Sequence, residues 1–163
     1  MTTELERLRH GVRPDLTPGG MGTVRFIAKC NGDAEAVLST CKTVLIKILE
    51  LVEKRYSEES WAASLPRRFV DACPPFPTAE EMEAYQRLPL EERVERDRRE
   101  GWPLRAVMNA FLVLERWWSW WDAVILDKDH IAVAVQVSEW PFPWESLRWL
   151  FRSSGAVDLE PEP

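Results

Sequence analysis

The stretch WWSWWDAVILDKDHIAVAVQVSE, residues 117–139, decides the fold. Two runs of alternating and β-branched residues, 117–127 and 131–139, flank Lys128-Asp129 or the wider turn Asp127 to His130. Such a pattern specifies an antiparallel hairpin. With Leu126 set opposite Ile131, the register pairs Val124 with Val133, Asp122 with Val135 and Trp120 with Val137. Trp118 and Trp120 then share the core face with Asp122. Trp117, Ser119, Trp121, Ala123 and Ile125 fall on the other face beside Ala132, Ala134, Gln136 and Ser138. That face is too apolar for open water and too polar for a dry core, which predicts a half-covered surface.

Working outward, residues 23–30 (TVRFIAKC) alternate as a strand should, and Asn31-Gly32 turns the chain. Asp33 suits a helix N-cap, and from there to about Tyr56 the residues Val37, Leu38, Cys41, Val44, Leu45, Ile48 and Val52 recur at helical spacing. This is the expected long core helix. Residues 57–77, with Trp61, Phe69 and Phe76 among prolines, should wrap the body as a short helix and a loop. Thr78 and Glu81 have capping-box spacing, so a helix begins near Ala79. Pro89 interrupts it. LEERVERDRRE follows as a solvated helix, with Glu92–Arg96 and Glu95–Arg99 at i,i+4. Gly101 stops it and Pro103 opens a segment, 104–116, read as helix although its β-branched and aromatic content leaves strand open. Pro143 and Gly155 bracket a final helix.

The architecture expected is therefore one α+β domain over 23–156: a long core helix and a C-terminal antiparallel hairpin covered by helices. The strand at 23–30 can extend the hairpin to a three-stranded sheet. Residues 1–22, broken by Pro14, Pro18, Gly19, Gly20 and Gly22, read as a loose segment, and 157–163 (VDLEPEP) as an acidic tail. Both are expected to be exposed unless a partner or the body of the domain holds them.

Composition bounds the function. The chain has 163 residues, 45% apolar, with a formal charge of −6 and a pI near 5.1. A single core suffices at this length, and the acidic balance argues against nucleic acid, which is bound through clustered Lys and Arg. The charged start MTTELERLRH lacks the apolar run of a secretory signal, and no stretch reaches the roughly 20 apolar residues of a membrane span. A cytoplasmic protein that binds neither nucleic acid nor membrane is the expectation. Cys30, Cys41 and Cys73 are odd in number and widely spaced, which predicts reduced thiols rather than a zinc site or bridges.

Catalytic motifs are sparse. GGMGTV (19–24) and VLIKIL (44–49) resemble the phosphate-covering loop and lysine strand of bacterial serine/threonine kinases. The resemblance covers those two runs alone, VLIKIL sits in a helical pattern, and neither the HRD nor the DFG motif is present, so the kinase reading is rejected. No GK[ST] follows the glycines as a Walker loop requires. Asp127, Asp129 and His130 have metal-ligand chemistry, but a hairpin turn needs such residues for geometry alone. No metal or cofactor is expected.

Eight of the nine tryptophans lie between Trp102 and Trp149. Tryptophan serves cores and interface hot spots alike. Trp117, Trp121, Trp140 and Trp149, with Arg148 and Arg152, form the candidate partner or ligand surface. Trp118, Trp120, Asp122 and Glu139 form a candidate pocket. Asp122 breaks its local pattern, and three explanations stay open: pairing with Arg105, Arg116 or Arg148, a β-bulge that turns it to solvent, or a functional acid in an aromatic pocket. The resulting expectation is a non-enzymatic binding protein that uses its Trp-rich surface for a protein partner or for self-association as a homodimer. Bacterial immunity proteins share this size and charge, though no motif places the chain among them. A small-molecule or hydrolytic site around Asp122 is the alternative.

Overall fold

A computed structural model describes residues 3–19, 22–54, 57–111 and 116–163. The architecture is α+β. Four antiparallel strands, β1 (Thr23–Lys29), β2 (Trp118–Asp127), β3 (His130–Val137) and β4 (Asp158–Pro161), form one sheet in the order β2-β3-β1-β4. The helices among the described residues are α1 (Glu4–His10), α2 (Ala34–Lys54), α3 (Glu58–Ser64), α4 (Arg67–Ala72), α5 (Ala79–Gln86), α6 (Leu90–Glu100), α7 (Leu104–Ala110) and α8 (Glu145–Ser153). Segment 104–116 is thus helical over Leu104–Ala110, while 112–115 lie outside the described residues.

The core forms where α2 and α8 meet one face of the sheet. Val37, Cys41, Val44, Leu45 and Ile48 of α2 and Leu147, Leu150 and Phe151 of α8 are fully buried with Phe26, Ala28, Ile131, Val133 and Val135. Each large side chain removed from water contributes about 1.5–3 kcal/mol. The α2 stripe read from the sequence is this buried face. Asp33 stands at the N-cap position, yet its carboxylate accepts from the Asn31 N–H (3.1 Å). The hairpin turn is clamped to that corner. Cys30 and Ala34 donate to the carbonyls of Asp129 (2.7 Å) and Lys128 (3.0 Å), and Gly32 donates to the Asp129 carboxylate (2.7 Å).

Parts of both segments read as loose or as a tail, Glu4–His10 and Asp158–Pro161, are built into the body. Glu4–His10 forms a helix where no regular structure is expected, because Thr3 and Glu6 close a capping box (2.7 and 3.2 Å) and Leu8 is buried. Asp158–Pro161 is an edge strand on β1, with Leu159 fully buried and opposite Ala28. Arg148 holds it from α8. That guanidinium, only 3% exposed, lies within 3.1–3.2 Å of Glu145, Asp158 and Glu160, donates to the Leu159 carbonyl (3.3 Å) and rests 4.3 Å from the Trp144 ring centroid.

The hairpin register differs from the expected one. Ile125 pairs with Ile131, Ala123 with Val133, Asp122 with Ala134, Trp120 with Val135 and Trp118 with Val137, with irregularities at Trp121 and Leu126. Each irregularity places an extra residue in β2, and an extra residue reverses the faces of those beyond it. Trp118 and Trp120 keep the core side, Ala123 and Ile125 join it, and Asp122 leaves it. A buried unpaired carboxylate is thereby avoided, which would cost several kcal/mol.

As an outer strand β2 presents free backbone groups, and α1 closes them at Trp120. The Glu4 carboxylate accepts from the Trp120 N–H (2.6 Å), while Arg7 donates to the Trp120 carbonyl through Nε (3.1 Å) and Nη2 (2.9 Å). Glu4 also takes a bidentate pair from Arg116 (2.6 and 2.7 Å). Two side chains one helical turn apart thus stand in for a neighbouring strand.

Candidate functional site

The structure disperses the tryptophan surface. Trp117 and Trp140 are 48% and 46% exposed, at the open end of the hairpin. Trp121 is half-buried under the Arg7 guanidinium, 4.8 Å from its ring centroid. Trp149 is buried and faces Gly101. Arg148 is committed to β4, and Arg152 donates to the Arg98 carbonyl of α6.

Nor do the residues of the expected pocket converge. Trp120 stacks on Phe151 (6.2 Å, 9° between planes) inside the core. Trp118 is buried beside Phe111 and donates its indole N–H to the Ser146 hydroxyl (2.9 Å). Asp122 stands half-buried on the opposite face of the sheet and Glu139 is exposed. The arginines considered for Asp122 are paired elsewhere: Arg105 with Glu58, Arg116 with Glu4 and Arg148 as above. Of the three explanations for Asp122, the bulge is the one realised. Asp127 and His130 bond each other within the turn (2.9 Å), and no metal-binding cluster occurs among the described residues.

A cleft forms instead between α5, α6, α7 and the loop 74–78, with about 660 Å³ of open space. That volume falls in the range of small-molecule sites, roughly 300–1,000 Å³. One wall is the rigid run Pro74-Pro75-Phe76-Pro77, another is Met82 and Tyr85 of α5, and the third is Trp102, Pro103, Ala106 and Ala110. Local sequence builds each wall. The prolines forbid helix between α4 and α5, and Thr78 caps α5 by accepting from the Glu81 N–H (3.2 Å). Pro89 separates α5 from α6 at the bend between them. Neither helix carries a buried residue, so the pair stands against the body rather than inside it.

Gly101 fixes how α6 meets the body. Its backbone has φ 83° and ψ −171°, and it donates to the Asp97 carbonyl (2.9 Å). A Cβ there would lie within 3.0 Å of three atoms of the Trp149 ring. Glycine meets both demands, the left-handed backbone and the close approach.

The polar groups of the cleft are tied to one another. Tyr85 donates its hydroxyl to Asp97 (2.6 Å), Arg96 pairs with Glu100 (3.0 Å), and Glu81 accepts from the Thr78 hydroxyl (3.2 Å). Burial first, and then the bond to Asp97, pushes the Tyr85 phenol up to about 12. It therefore stays a donor across the physiological range. Along α6 the ion pairs are Arg96–Glu100 and Arg99–Glu100, not the expected Glu92–Arg96 and Glu95–Arg99. Both observed pairs converge on Glu100 at the cleft.

Sequence reasoning located α5, its cap and the Pro89 break but missed the cleft, because its walls come from three separate stretches. The available signal was the proline run beside the Thr78 cap. No family model, curated protein or solved structure matches the chain. Among the described residues no helix is long and apolar enough to cross a membrane.

Proposed function

We propose that the chain is a non-enzymatic cytoplasmic binding protein that seats a small ligand in the cleft between α5, α6 and α7. One observation carries the reading: a preformed cavity of about 660 Å³ whose mostly apolar walls are interrupted by a group of polar side chains. The pairing of those polar groups supports it. Tyr85–Asp97 and Arg96–Glu100 preset donors and acceptors that can orient a ligand without reorganising.

A neutral solvatochromic dye tests this. It should bind the wild-type protein at one site and lose that binding in Ala106→Trp, which fills the cleft, while Trp117→Ala and Trp140→Ala leave it intact. Binding that ignores Ala106→Trp but disappears with the two surface tryptophans would overturn the assignment. It would favour the second reading, a protein-partner or self-association surface reduced to Trp117 and Trp140, the two tryptophans of the hairpin region left about half exposed.

A further inference from the structure

We infer that the ligand of this cleft is an organic cation: an ammonium group on a compact aromatic or alkyl body. The inference rests on the cleft being the ligand site and adds the chemical class. The lining holds three carboxylates, Glu81, Asp97 and Glu100, against one guanidinium, Arg96. Glu100 is satisfied by Arg96 at 3.0 Å and Arg99 at 3.8 Å. Glu81 and Asp97 are left bonded only to neutral hydroxyls, those of Thr78 and Tyr85. Two negative charges therefore face an apolar space with no lining cation assigned to them. Arg93 and Arg96 both act on the Tyr85 hydroxyl that Asp97 holds, but of the two only Arg96 lines the space, and neither forms an ion pair with Asp97 or Glu81.

The aromatic walls point the same way. Phe76, Tyr85 and Trp102 line the cleft, and ring faces attract cations through their quadrupole. The protein already uses two of these rings so: Arg105 lies 4.4 Å from the Phe76 centroid and Arg96 lies 5.8 Å from that of Tyr85. Trp102, the strongest cation binder of the three, carries no guanidinium among the described residues. Partly buried against the core, it is the lining ring to which a ligand's ammonium group is assigned, with Asp97 and Glu81 supplying counter-charge. A carboxylate ligand would meet like charge in the same space, and a neutral one would gain less than an ammonium, having no charge to set against the two acids.

Three probes of one shape separate the possibilities: 2-phenylethylammonium, 2-phenylethanol and 3-phenylpropionate, titrated into the full chain by calorimetry at low and high salt. The ammonium should bind about tenfold or more tightly than the alcohol, a difference of about 1.4 kcal/mol, and the carboxylate most weakly. Added salt should shrink the preference. Glu81→Gln and Trp102→Leu should each reduce it. Glu81→Gln changes an exposed residue and keeps the fold, so its effect reads charge alone. Equal binding of the three probes, abolished by Ala106→Trp, overturns the cation assignment and leaves the cleft reading standing. Preference for the carboxylate does the same. Failure of all three probes to bind the wild-type protein overturns both.

Discussion

At Gly101 a missing side chain joins two parts of the molecule. Gly101→Ala would force an L-residue into φ 83°, ψ −171° and drive its methyl into the Trp149 ring. Backbone strain of about 1–3 kcal/mol and a similar overpacking cost place the expected loss of stability above about 2 kcal/mol, read by urea unfolding. Stability within about 0.5 kcal/mol of wild type would show that Trp149 can move aside at no cost. The sequence marks Gly101 as a helix stop, which it is. Its second role, close approach to a ring 48 positions later, lies in no local pattern. Asp122 is the converse case. Its anomaly was visible, and the alternation rule assigned it to the core face. A single extra residue at Trp121 reverses that assignment, and bulges leave little trace in a sequence this rich in tryptophan.

Among the elements, α1 is the clearest guard in the fold. Replacing Glu4 and Arg7 together by Ala would leave the Trp120 N–H and carbonyl uncapped and Arg116 without its bidentate partner. The loss of these charge-assisted bonds should cost about 2–4 kcal/mol. The bared β2 edge should also make the variant associate as its concentration rises, which sedimentation velocity would report. A double variant with the sedimentation behaviour and the stability of wild type would contradict the guard role. The helix itself could be read from the Thr3 and Glu6 spacing, but the prolines and glycines that follow mask it. β4 could not be read, since Leu159 is its single large apolar residue and alternation needs several. By contrast α2 and the hairpin, long and strongly periodic, were legible because their own spacing carries the signal.

For the whole molecule, the buried thiols couple stability to pH. Burial raises Cys30 and Cys73 to about 11 and Cys41 to about 12, from 9.0. Unfolded thiols ionise from about pH 9, whereas the folded ones stay protonated. Stability is therefore complete below about pH 9 and falls as pH rises toward 11–12. Tyr85, raised from 10.0 to about 12, adds in the same direction. The urea midpoint should be lower at about pH 10 than at about pH 7.5, and equal midpoints would contradict the burial of the thiols. The cleft also belongs to this scale. Its prolines, cap and rings are plain in the sequence, but their convergence depends on how α5 and α6 are carried by the body.

The position of β1 has a consequence for the order of events during synthesis. It is an interior strand, yet both its neighbours, β3 and β4, are made roughly 100 or more residues after it. While the chain emerges, β1 and the apolar face of α2 have no sheet to join. The four-stranded sheet closes only when β4, Asp158–Pro161, arrives. Long-range closure of this kind slows folding and prolongs the exposure of strand edges. A nascent chain stalled before residue 130 would hold helices and two strand segments, β1 and β2, that are joined only through β3, a species for chaperones to shield rather than a smaller version of the fold.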